Sequence, residues 1–355
     1  MESPDQHKVL NLPILPSKYA GKFILGMPIG DAIQILKADS IQIPKVELKY
    51  YAEKPLEQDL VLNLVENGIC LRFEPSSQRL KCLLIYKMDE VRLSYEEQDF
   101  NSRVTVPTFL LVYKFFGPTH PGEFDEKKSE YTLHYPGLSF VFPIPEKHKH
   151  LYTNGDMIME FPDGTTPVCN RVYVYYGPSW QESFPPPLPI GLNSENKSTV
   201  IVDCVLIDLD KRILLRHPGG RKTRIEFYVT SAQDVITDLG QPNEIFYKEE
   251  DKMRIHSRSE AGKSSDSNNF GAITGSVLNS YKEDAQNSNY HCKDDGPNDY
   301  FYNYFQHGFD LLFDAATHRC KKIVLHSNFP GHFDFGKYRK CPFKLLSHQS
   351  KFEKL

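Results

Sequence analysis

The residues best suited to chemistry in this chain form a basic run, RHPGGRKTR, in which Arg216, His217, Arg221, Lys222 and Arg224 surround a Gly-Gly turn. A hairpin tip of that composition could hold an anionic lipid headgroup or an acidic partner, although solvated charge is the commoner use of such a tip. His318, Arg319, Lys321 and Lys322 form a second basic stretch, for which the solvated reading is stronger still. Other candidates fail on spacing. Gly262-Lys263-Ser264 resembles the end of a phosphate-binding loop, but that motif needs a glycine five residues earlier, where Ser257 stands, and no strand precedes it. His148 and His150, in EKHKH, are too close together for a helical metal pair, while His318 reads as a turn residue and His326 as a strand end. Neither HExxH nor a G-x-S-x-G nucleophile turn occurs. The seven cysteines (Cys70, Cys82, Cys169, Cys204, Cys292, Cys320 and Cys341) are scattered with no CxxC pair. They read as small hydrophobes in a reducing compartment, not as zinc or redox ligands. No catalytic residue, metal ligand or cofactor is expected.

Composition narrows the class. A chain of 355 residues is long enough for two or three domains or a short array of units. It carries 23 Phe and 20 Tyr against one Trp, a bias towards pleated, half-buried surfaces. A net charge of −4 argues against a dedicated nucleic-acid binder. The N-terminal stretch has no apolar core behind a basic start. The most apolar later run, FLLVYKFF from Phe109, falls far short of the roughly 20 residues of a membrane span. A soluble chain with at most peripheral membrane contact is expected.

The elements that would carry these residues repeat. LNLVENGICLRFEPSSQRLKCLLIY (62–86) lies without a gap over YNYFQHGFDLLFDAATHRCKKIVLH (302–326), at an offset of 240 and with six identities, among them Gly68/Gly308, Leu71/Leu311, Phe73/Phe313 and Arg79/Arg319. Ile69, Leu71 and Phe73, like Phe309, Leu311 and Phe313, alternate along a strand with one buried face. Asn67-Gly68 and His307-Gly308 read as turns before that strand. A short helix precedes each strand group, because Ile29/Ala32/Ile33/Leu36, Phe109/Val112/Tyr113/Phe116 and Ala232/Val235/Ile236/Leu239 recur at helical spacing. Gly117-Pro118 and Gly240-Gln241-Pro242 end the second and third helices, and Thr230 or Ser231 caps the third. Leu133, Gly137, Phe140 and Phe142 mark a weaker middle copy, whose last strand is Arg171 to Tyr176.

The expected fold is α+β: tandem units of one helix and about three antiparallel strands. The boundaries are a tail 1–20, unit one 21–100, unit two 101–180, a β linker element 181–228, unit three 229–335 and a tail 336–355. Unit three is interrupted at 257–298 by a stretch rich in Ser, Asn, Asp and Gly, expected to be a disordered insertion. Repeated residues hold units together, so a binding surface is expected where the units differ.

LGMPIGDAIQILK from Leu25, TVPTFLLVYKFFGPTHPGEF from Thr105, GLSFVFPI from Gly137, KEEDKMRIHS from Lys248 and NDYFYNYFQHGFDLLFDAATHRCKKIVLHSNFPGHFDF from Asn298 resemble the phagophore (phagosome) assembly factor 1 family over about 23–335. The resemblance implies a non-enzymatic autophagy factor, an adaptor complexed with a WD40 β-propeller protein of the breast-carcinoma-amplified-sequence type, which is the member expected to read phosphoinositides. It implies a cytoplasmic protein recruited to the phagophore assembly site, with Golgi or other endomembrane association within its range. It also implies a further helix-and-strand unit that is not found before Leu355. It supplies no ligand or catalytic residue. A weaker likeness to bacterial BamE-type lipoproteins concerns fold alone. The alternative function is a lipid- or small-molecule-binding module with its pocket between helix and sheet; an enzyme with an unfamiliar site is the third and weakest reading.

Overall fold

The computed structural model describes residues 9–120, 122–152, 158, 160–188, 201–208, 212–218, 220–248 and 298–346. The segment expected to be a disordered insertion, apart from Asn298, lies outside them, as does Gly262-Lys263-Ser264. Among the described residues three α-helices form where the apolar spacing requires: α1 (Ile29–Ala38), α2 (Phe109–Phe116) and α3 (Ala232–Leu239). Their ends are fixed locally. Thr108 Oγ1 accepts the Leu111 N–H at 3.3 Å. Ser231, not Thr230, caps α3: its Oγ accepts the Asp234 N–H while the Asp234 carboxylate accepts the Ser231 N–H at 2.9 Å. Gly117 (φ 78°) and Gly240 (φ 82°) end α2 and α3 in a region that side chains rarely adopt.

Each helix is followed by four antiparallel strands. Unit one has β4 (Val46–Lys49), β5 (Leu60–Leu64), β6 (Ile69–Phe73) and β7 (Leu80–Ile85). Unit two has β10 (Glu123–Asp125), β11 (Glu130–Tyr135), β12 (Leu138–Pro143) and β13 (Arg171–Tyr175). Unit three has β17 (Glu244–Tyr247), β18 (Tyr300–Tyr304), β19 (Phe309–Phe313) and β20 (Cys320–Leu325). The strand missing from the sequence-based count is the first of each group. None of these three strands buries a residue, so none shows an alternating signature. The offset of 240 survives in three dimensions. Ile69↔Ile85, Leu71↔Leu83 and Phe73↔Leu80 become Phe309↔Leu325, Leu311↔Ile323 and Phe313↔Cys320, and both strand pairs shift register at the same place.

Further strands precede the helices: β1 (Leu10–Leu15), β2 (Tyr19–Ala20) and β3 (Phe23–Ile24) before α1, β8 (Val91–Tyr95) and β9 (Gln98–Asn101) before α2, and β14 (Cys204–Asp208), β15 (Arg212–Arg216) and β16 (Lys222–Glu226) before α3. The last strand among the described residues is β21 (Phe343–Leu345). In a first lobe, β7 and β13 pair antiparallel and fuse units one and two into an eight-stranded sheet, which shares one core with the five-stranded sheet β3-β2-β1-β8-β9. A second lobe repeats the first half of that plan. β14 pairs parallel with β21 as β1 pairs parallel with β8, and β17-β18-β19-β20 is the sheet of unit three. The segments expected as tails therefore contribute β1, β2 and β21. The element expected as a linker builds the second core, where Val205, Ile213, Leu215 and Ile225 pack with α3 and the unit-three sheet. Leu10, Leu12 and Ile14 are buried on alternate positions of β1, and the Pro13 between them conceals the run in sequence.

Both cores are dense in rings. Phe109 and Phe142 lie 4.9 Å apart, Phe116 and Phe140 5.1 Å, and Tyr302 and Phe313 4.7 Å between centroids. Each fully buried ring of this kind stabilises its core by about 3–5 kcal/mol as judged by truncation to alanine. The space between helix and sheet, where a lipid pocket was the alternative expectation, is occupied by these side chains.

Candidate functional site

The basic hairpin singled out by the sequence lies at the turn between β15 and β16, with Arg216 opposite Lys222. Most of its charge is paired at the surface. Arg216 pairs with Asp203 at 2.9 Å, Arg221 approaches the Asp238 carboxylate at 3.7 Å, and Arg224 pairs with Glu226. His217 is buried, with Nδ1 2.8 Å from the Ile201 carbonyl oxygen and Nε2 2.9 Å from Thr223 Oγ1. Among the described residues, Lys222 is the member of the five without an ion-pair or hydrogen-bond partner. In the second basic stretch, Lys321 is held between Asp299 and Asp314 at 2.9 and 2.5 Å. His148 stacks on Phe161 at 4.2 Å. Among the described residues, no group of three or more His, Cys, Asp or Glu side chains could hold a metal ion, and no helix is long and apolar enough to cross a membrane.

A different place brings distant residues together. The segment 327–341, which leads from β20 to β21, leaves the second lobe and docks on unit one. Asn328 Nδ2 donates to Gln78 Oε1 at 2.7 Å, and Gln78 Nε2 donates to the Asn328 carbonyl at 2.9 Å, with both residues buried. Asn328 Oδ1 accepts the Gly336 N–H at 2.8 Å, and Lys340 Nζ reaches the Pro75 carbonyl at 2.9 Å. The Gly336 carbonyl passes so close to Gly30 that a Cβ there would sit 2.6 Å from it. Two openings flank this seam.

The first is apolar and open to solvent. Tyr50 and Phe329 meet edge to face with centroids 6.1 Å apart. With Tyr51, Leu56 and Pro330 they line a groove of about 280 Å³. Leu56 is 63 % exposed, Phe329 46 %, Tyr51 44 % and Tyr50 39 %, so this is a continuous uncovered apolar surface spanning units one and three. Nearby in sequence, Val46 and Leu48 of the edge strand β4 are also uncovered. Sequence reasoning did not find it. Tyr50, Tyr51 and Leu56 sit in a loop without periodicity, far along the chain from Phe329, and the one local hint is a Phe-Pro-Gly run outside any expected strand. The second opening, of about 430 Å³, is lined by Asp31, Gln34, Arg79, His307 and Arg339 among others.

Comparison with known proteins is consistent across distant organisms. A family model described as Phagosome assembly factor 1 matches residues 19–271 and 282–354. The chain is 36% identical over 339 residues to PHAF1 protein At3g51130 of Arabidopsis thaliana, covering 92% of this chain and 73% of that one. It is 34% identical over 355 residues to PHAF1 protein CG7083 of Drosophila melanogaster, covering 95% and 74%. To PHAF1 protein T01G9.2 of Caenorhabditis elegans it is 31% identical over 350 residues, covering 94% and 76%. No solved structure matches.

Proposed function

The chain belongs to the phagosome assembly factor 1 family, and from that premise we propose that it acts in phagosome assembly as a non-enzymatic adaptor, docked through its inter-unit groove onto a WD40 β-propeller protein of the breast-carcinoma-amplified-sequence type. In this reading the protein is cytoplasmic and is recruited to the phagophore assembly site, with any membrane contact made mainly by the partner. The observation that supports it is the apolar groove of Tyr50, Tyr51, Leu56 and Phe329, contributed by two units and left uncovered. Exposed aromatic and aliphatic side chains on a rigid seam are the usual anchors of a protein interface. The filled space between helices and sheets gives no support to the alternative of a lipid carried inside a unit.

Leu56→Asp and Tyr51→Ala change exposed side chains and are expected to leave folding within about 0.5 kcal/mol of the parent. Each is expected to weaken co-purification with the propeller protein by about thirtyfold, the loss typical of one anchor residue. Val104→Asp, at a position 92 % exposed outside the groove, is the control. Undiminished capture by Leu56→Asp would sink the groove as the docking surface, and failure of the unaltered chain to capture the propeller would sink the partner.

A further inference from the structure

Beside the same seam, two arginines line one cavity, and neither is ion-paired with Asp31, the carboxylate that lines it with them. Arg79 comes from the turn before β7 in unit one and Arg339 from the segment that returns from unit three; both line the opening of about 430 Å³. Arg79 donates Nε–H to the Gly26 carbonyl at 2.8 Å. Its repeat counterpart Arg319 makes the equivalent bond to the Val229 carbonyl, so that bond belongs to the repeat. Arg339 has no counterpart of this kind. Its guanidinium is largely buried, its Nε has no partner, and among the described residues no hydrogen bond or ion pair of its side chain offsets the charge. Burial first, and the neighbouring Arg339 next, hold the Arg79 pKa below the usual arginine value. For Arg339 the cause is burial, and among carboxylates its charge is offset only at longer range, by Asp203 and Asp31.

An uncompensated buried guanidinium costs several kcal/mol, and a second one nearby adds to that cost. A fold keeps such a pair where something supplies the missing negative charge. The other charged groups around the cavity do not supply it. Lys337 is paired with Glu244 at 3.3 Å, and Asp31 stands beyond ion-pairing distance from Arg339, its own carboxyl pKa raised by burial. His307, almost wholly buried with neither ring nitrogen partnered, lines the same opening and is neutral.

We propose that Arg79 and Arg339 form a binding site for a phosphate group, inorganic or as a phosphate monoester, seated in the cavity between unit one and unit three. Planar guanidinium forks match phosphate oxygens in charge and geometry. Because the two arginines belong to different lobes, the bound phosphate ties the lobes together at the seam that also forms the apolar groove. The basic hairpin at β15–β16 takes no part.

The test uses the full chain and two variants, Arg339→Met and Arg79→Gln. In chloride buffer Arg339→Met removes an uncompensated buried charge and is expected to unfold at a higher temperature than the parent. In saturating phosphate at equal ionic strength the order reverses, because ligand stabilises the parent alone. An arginine with a purely structural role would lower the midpoint in both buffers. Calorimetric titration with inorganic phosphate and with glycerol 3-phosphate is expected to give binding that each variant weakens by about tenfold or more, while Lys222→Ala leaves it unchanged. Sedimentation with phosphatidylcholine vesicles, with and without a phosphatidylinositol monophosphate, separates the sources. Arg339-dependent recruitment to the phosphorylated vesicles identifies a lipid headgroup, and binding confined to the soluble esters identifies a free phosphate. Absence of binding in all three arms, or binding that survives both arginine variants, overturns the proposal.

Discussion

At the scale of single residues, the glycine shared by the repeats shows how one position serves two constraints. Gly117 and Gly308 both have φ near +77°, but a Cβ at Gly117 would meet open space, whereas one at Gly308 would lie 2.2 Å from the Arg339 carbonyl oxygen. Gly117→Ala is therefore expected to cost about 1 kcal/mol, from backbone strain alone. Gly308→Ala is expected to cost about 3 kcal/mol or more, since the segment carrying Arg339 must move as well. Urea unfolding of the two variants compares them directly. His307 makes the complementary case for burial. Burial, reinforced by Arg339 and His217, pushes its pKa down to about 3. The unfolded chain binds that proton near pH 6.5 and the folded chain does not, so the contribution is intact above pH 6.5 and is lost as pH falls towards 3. Replacing the ring by His307→Phe is expected to flatten the stability profile in that window by up to about 1.4 kcal/mol per pH unit, measured by denaturant titrations at several pH values.

At the scale of elements, a strand's stability depends on what covers its edge. Tyr86 donates its N–H to Gly68 and Lys81 offers its carbonyl to Tyr176, so alternate residues Lys81, Leu83 and Ile85 turn their amides towards β13. β20 shares the register of β7, and the His326 N–H bonds to Gly308 as Tyr86 does to Gly68. Ile323 and Leu325 therefore turn their amides outward, where no strand pairs with them among the described residues. Their side chains are half-buried, whereas Leu83 and Ile85 are fully buried. Hydrogen exchange at Ile323 and Leu325 is expected to run on the order of a hundredfold or more faster than at Leu83 and Ile85. Equal protection would mean that another part of the chain covers β20.

At the scale of the whole molecule, two aromatic cores are joined by a thin seam. The Gln78–Asn328 amide pair is its buried centre. Asn328→Ala removes the donor to Gln78 Oε1 and the acceptor for Gly336, leaving buried polar atoms without partners at a cost of about 2–4 kcal/mol. Neither core contains these side chains. The loss is therefore expected to fall on the coupling between lobes, and a single calorimetric unfolding transition should separate into two. One transition, merely lowered, would mean that the lobes are coupled elsewhere.

The amino-acid sequence determined the parts of this protein that follow from local pattern. Ile29/Ala32/Leu36 and their counterparts fixed the helices, Gly117 and Gly240 fixed where two of them stop, and alternation in 69–73 and 309–313 fixed the central strands and the repeat. These are legible because each depends on residues within a few positions of one another and on one buried face. The first strand of each unit was not, because β4, β10 and β17 are uncovered edges with no alternation to read. β1 was hidden by Pro13. The basic hairpin stood out in sequence, yet folding set most of its charges in surface ion pairs with Asp203, Asp238 and Glu226. What only the tertiary structure decided is the pairing of β7 with β13 and the seam that sets Tyr50 beside Phe329 and brings Arg79 and Arg339 to one cavity. Those contacts join positions far apart in the chain through segments with no shared period: packing within the first lobe selects the β7–β13 pair, and packing of one lobe on the other selects the seam.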